Sequence, residues 1–198
     1  MHAPADTVHP LWLRITHWLN ALAVLLMVFS GWRIYDASPL FDFRFPDQLT
    51  LGGWLAGALL WHFAAMWLLG INGLMYVALN LFSGRFRRQY LPLRWRDLRN
   101  DLLAAFRLRV SHADLRVYNA PQKLAYLFMV LDIALLIVSG LVLWKSVQFP
   151  LLRELLGGYE GARIVHFVAM AALLAVLLAH LVMVALLPRT LLLMLRGR

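Results

Sequence analysis

Hydrophobic and polar positions in this chain come in long blocks rather than in alternation. Four mainly apolar stretches, Leu11 to Ile34, Leu49 to Phe82, Leu124 to Trp144 and Ile164 to Leu187, are separated by short segments that hold most of the charge. A helix needs about 20 apolar residues to cross a hydrocarbon layer of roughly 30 Å, so each block predicts one membrane span. Trp and Tyr stand at several block ends, where amphipathic rings settle among headgroups. The second block has no charged residue from Leu49 to Gly84, more than one perpendicular crossing requires, which predicts a tilted or protruding helix. The first block ends on Gly31, Trp32 and Arg33 and has no small-residue cleavage site, so it reads as a span and not as a secretion signal. The expected fold class is therefore an all-α integral membrane protein, a four-transmembrane-helix bundle in a single domain over residues 1–198.

Composition sharpens this reading. Of 198 residues, 62% are hydrophobic and 15% charged, against about half and a quarter in an ordinary soluble domain. A soluble enzyme is excluded. The net charge is +9, and it is sided. With an even number of spans both termini share a side, and that side, with Arg14, the segment Arg85 to Lys123, Arg189, Arg196 and Arg198, holds 14 of the 19 basic residues. The other side has Arg33, Arg44, Lys145, Arg153 and Arg163, matched by Asp36, Asp42, Asp47, Glu154 and Glu160. Short cytoplasmic loops collect Lys and Arg, so both termini are expected in the cytoplasm. Basicity thus follows from topology, and no nucleic-acid partner is expected. In the loop 85–118, Trp95, Leu98, Leu102, Ala105 and Phe106 recur at helical spacing among arginines. They predict a basic amphipathic helix that either lies on anionic membrane lipid or docks a cytoplasmic partner.

The chain has no cysteine, which excludes disulfides, thiolate-held iron-sulfur clusters and covalent haem attachment. Histidine is the remaining redox ligand. His2, His9 and His112 fall in polar segments, whereas His17, His62, His166 and His180 fall inside spans. His166 and His180 belong to one predicted helix. At about 100° per residue the offset between them is about 40° short of four turns, so the two share a face, roughly 21 Å apart along the axis. One helix then offers a ligand near each membrane face. Chain direction places His17 with His180 at the inner level and leaves His62 for His166 at the outer level. Two neutral imidazoles close both axial positions of a haem, which suits electron transfer.

Gly31 follows His17, and Gly140 follows Tyr126, at the same offset that separates His166 from His180. These glycines either leave room for a macrocycle or allow close helix packing in lipid. They also carry a faint echo, Phe29-Ser30-Gly31-Trp32 against Val138-Ser139-Gly140-Leu141, in a chain with no solenoid repeat or low-complexity tract. Arg14, Lys123 and Arg33 are candidates for the acidic haem propionates, or else snorkel to the interface. Asp132, a carboxylate in mid-span, is either a proton-transfer group or a protonated, hydrogen-bonded helix residue.

Arg14-Ile15-Thr16-His17-Trp18, the stretch Tyr118-Asn119-Ala120-Pro121-Gln122-Lys123, and His166 with His180 together resemble the bacterial cytochrome b561 superfamily. Within it, the di-haem cytochrome b subunit of nickel-iron hydrogenases, formate dehydrogenases and molybdenum oxidoreductases is the nearest likeness, over nearly the whole chain. That resemblance implies an inner-membrane electron-transfer subunit with two non-covalent b-type haems. It would pass electrons between a periplasmic catalytic or iron-sulfur subunit and a quinone, ubiquinone or menaquinone. It also implies a quinone near the inner haem, for which Asn119, Gln122 and Lys123 are candidates; Asn119 equally reads as a helix cap. The outer segments Arg33 to Gln48 and Lys145 to Arg163 are where a partner is expected. Two other functions remain open at this point. One is a stand-alone quinone-linked oxidoreductase of superoxide oxidase type, and the other is a transporter or metal permease using the histidines and Asp132.

Overall fold

A computed structural model of the chain describes residues 9–84 and 120–197, with residues 120–123 as helix backbone. It is all-helical where described, with four helices long and apolar enough to cross a membrane. The predicted amphipathic helix in 85–118, and Asn119, lie outside the described residues.

Residues Met1–Phe82 and Leu187–Arg198 form one compact unit. Helix α1 spans Leu11–Ala37 and helix α2 spans Leu55–Phe82. These two helices pack on each other. Their buried apolar positions include Ala23, Ala58 and Ala65, small side chains that let helix backbones approach closely. Large apolar side chains such as Leu60, Leu74 and Phe82 point outward, as they must where the surrounding solvent is lipid. With no water to bond the backbone, a lipid-crossing segment satisfies its own amides by being helical.

The second span starts at Leu55 and not at Leu49. A single 3-10 turn, Asp47–Leu49, precedes it, and Gly52 and Gly53 then adopt positive φ, 109° and 70°. A Cβ on Gly52 would stand 2.4 Å from the Ala58 backbone nitrogen, so only glycine fits this turn. Apolar content alone did not separate Leu49 to Trp54 from the helix that follows. The link is pinned to α1 at three points. Leu51 N donates to the Phe29 carbonyl at 2.9 Å and Phe45 N to Asp36 Oδ1 at 2.9 Å, while Arg33 pairs with Asp47 at 2.5 Å.

The other unit, Ser83–Leu186, contains helix α3 at Ala120–Trp144, a short helix α4 at Pro150–Leu155, and helix α5 at Gly158–Leu186. Helices α3 and α5 form its main contact, with Ser139, Val142, Ala162, Ala169 and Leu173 buried. Helix α5 begins at Gly158, ahead of the predicted fourth span. Glu160 and Arg163 lie one turn apart and pair along its surface at 2.8 Å, so charge that looked like loop belongs to the first helical turns. Pro188 terminates α5, because a proline ring excludes the preceding helical hydrogen bond, and opens the last helix, α6, at Pro188–Arg196.

Candidate histidine ligand sites

In the first unit, α1 and α2 carry the two histidines at opposite ends of α1. The His62 ring packs against Gly31: a Cβ built there would stand 3.4 Å from His62 Cε1 and 3.8 Å from Nδ1. His62 therefore lies at the level of Gly31, about four helical turns along α1 from His17. Its Nδ1 is 3.0 Å from Ser30 Oγ. Around His17 the same two helices are tied by polar bonds. Asn72 Nδ2 on α2 donates to the Thr16 carbonyl and to Asn20 Oδ1, both at 2.7 Å. His17 is half-buried, with its ring edge-on to Trp18.

The second unit repeats the arrangement seen around His62. A Cβ on Gly140 of α3 would stand 3.4 Å from His166 Cε1 and 3.8 Å from Nδ1, and Ser139 Oγ is 2.9 Å from that Nδ1. His180 lies about four turns further along α5 and is exposed within the described structure. Each helix pair thus carries two histidines separated by about four helical turns. The glycines serve a purpose the spacing did not distinguish: they receive the imidazole rings themselves.

Both arginines expected at propionates have protein partners. Arg14 donates through Nε to the Met194 carbonyl at 3.1 Å and through Nη2 to the Leu195 carbonyl, and so caps the C-terminal end of α6. Arg33 pairs with Asp47. Gln122 and Lys123 stand in the first turn of α3. Asp132 is buried in α3, and among the described residues its Oδ2 has no hydrogen-bond partner.

Sequence reasoning passed over Ser30, Ser139 and Asn72. The first two were visible in the Ser-Gly echo, but a serine in a helix carries no ligand signal by itself. Asn72 could have been flagged as one of two amides, with Asn80, in an otherwise mainly apolar run.

The donor chemistry fits a b-type haem. Among the described residues no three His, Asp or Glu side chains gather to hold a metal ion alone. What each helix pair offers is imidazole, with glycine against the rings of His62 and His166. That suits an iron whose other four bonds come from a porphyrin.

Comparison with known proteins points the same way. A chain of Azospira oryzae, provisionally named protein-methionine-sulfoxide reductase subunit YedZ1, is 61% identical over 190 residues, covering 96% of each chain. No solved structure matches. The family model described as prokaryotic cytochrome b561 matches residues 8–197, and the chain is accordingly a transmembrane, haem-binding cytochrome b of the prokaryotic cytochrome b561 family.

Proposed function

We propose that this protein is a di-haem cytochrome b that carries electrons between membrane quinone and an oxidoreductase subunit at the outer membrane face. The observation that carries the reading is that each helix pair holds one histidine ring, His62 in the first and His166 in the second, in a matched Ser-Gly pocket, with a second histidine about four helical turns away. His17 with His180 would hold one haem and His62 with His166 the other, the pairing that chain direction and spacing predict. When bound, the haems would supply one-electron transfer. The helices contribute ligand placement and the exclusion of water.

Gln122 and Lys123, with Asn119 before them, are the candidates to hold quinone at the inner level. Both termini then face the cytoplasm, on the side that holds most of the basic residues. On the outer side, the segment that Arg33 and Asp36 pin to α1 presents Phe41 and Phe43 for a partner. The Azospira relative bears the name of a methionine-sulfoxide reductase subunit. Its likeness favours a partner that reduces oxidised methionine, so electrons would flow from quinol outward. Each sulfoxide takes two electrons and two protons to give a thioether and water, so two one-electron passages serve one turnover.

The test is a dithionite-reduced minus oxidised spectrum with haem quantification on the purified protein. Two b haems per chain are expected, with one lost in His17→Ala and one in His62→Ala. Folded protein that stays haem-free after expression with ample haem would overturn the reading.

A further inference from the structure

The His62 and His166 pockets each contain a serine hydroxyl to which the bis-histidine reading gives no role. We propose that Ser30 and Ser139 are positioning residues that hold His62 and His166 with the proton on Nδ1, so that Nε2 of each ring is the nitrogen that binds iron. This rests on the bis-histidine reading above and adds to it the residues that choose the ligating nitrogen.

Each serine hydroxyl has one proton to donate. Ser30 Oγ stands 2.5 Å from the Leu26 carbonyl oxygen and 3.2 Å from that of Met27. Carbonyl oxygens only accept, so the hydroxyl proton is spent on that side. Towards His62 Nδ1, 3.0 Å away, the hydroxyl presents a lone pair, and the contact is a hydrogen bond only if Nδ1 carries the hydrogen. The opposite tautomer would turn the hydroxyl proton to the ring and leave two oxygens 2.5 Å apart with nothing between them. Ser139 repeats the pattern, with the Leu135 carbonyl at 2.7 Å, that of Leu136 at 3.2 Å and His166 Nδ1 at 2.9 Å.

The local sequence explains how the device is built. A serine inside a helix commonly bonds back to the carbonyl one turn earlier. Both serines are fully buried, so no water competes for that bond. The glycine that follows each serine removes the side chain that would keep the ring away. An imidazole that binds metal through one nitrogen is oriented by the bond its other nitrogen makes. Here that bond runs N–H to hydroxyl to helix carbonyl. A chain of this kind strengthens electron donation by the ligand and favours ferric iron.

The experiment uses Ser30→Ala, Ser139→Ala and the double variant in the full chain. Each change removes only the hydroxyl, and alanine is a good helix former. Redox titration and ferric electron paramagnetic resonance are read on protein with both haems bound. The expected result is that one and the same haem transition moves to higher potential in both single variants and further in the double. The resonance of that haem shifts and that of the other stays. Unmoved potentials and resonances, or shifts in two different haems, would overturn the proposal. Full haem content in His62→Ala would instead bring down the ligand reading itself, whatever the serines do.

Discussion

His62 rests on Gly31, with the Cε1 edge of its ring 3.4 Å from where a Cβ would stand. That distance is ordinary contact for one methyl group and leaves nothing for a longer side chain. Gly31→Ala is therefore expected to keep its full haem complement, whereas Gly31→Leu forces the ring aside and loses one haem of two. Gly140→Ala and Gly140→Leu should behave in the same way against His166. Haem content per chain by pyridine haemochrome checks both pairs, and a Leu variant with full haem would show that the ring contact does not position the ligand.

The four intramembrane histidines make a pairing prediction. His17→Ala and His180→Ala should remove the same haem, and His62→Ala and His166→Ala the other. The two haems are told apart by midpoint potential. Loss of one haem in His17→Ala and of the other in His180→Ala would contradict the pairing.

Much of this was legible along the chain, for reasons that can be named. Span existence follows from hydropathy because lipid permits few alternatives to a helix. The level of His166 relative to His180 follows from rise per residue, a property of one helix. What the sequence hid were partners across helices. Ser30 and His62 are 32 positions apart, and nothing in a linear pattern says that one faces the other. Likewise Leu49 to Trp54 is as free of charge as the helix it precedes, and the positive φ of Gly52 and Gly53 breaks it off. Arg14 was assigned by type and level, yet its guanidinium meets carbonyls near the far end of the chain, at Met194 and Leu195.

Asn72 ties α2 to α1 by two bonds of 2.7 Å beside His17. Interhelical hydrogen bonds in membranes average about 0.6 kcal/mol and reach about 1.7 kcal/mol. Asn72→Leu should thus lower stability by about 1 kcal/mol and loosen the inner haem more than the outer. Thermal unfolding in detergent, followed at the Soret band, measures the first effect. Haem transfer to apomyoglobin measures the second.

The guanidinium of Arg14 accounts for two of the last carbonyls of α6. Hydrogen bonds to charged groups contribute about 1.5–3 kcal/mol, and partial exposure puts this cap at the low end. Arg14→Gln is expected to speed amide exchange across Pro188–Arg196 while leaving α3 and α5 unchanged. Equal exchange in variant and parent would show that α6 is held by other means.

That same cap orders events during synthesis. Helix α1 leaves the ribosome first, but Arg14 meets its carbonyls only once Met194 and Leu195 have been made. The unit containing α1 and α2 is therefore begun before α3, α4 and α5 exist and completed after them, so the half of the molecule that is translated first is the half that is finished last.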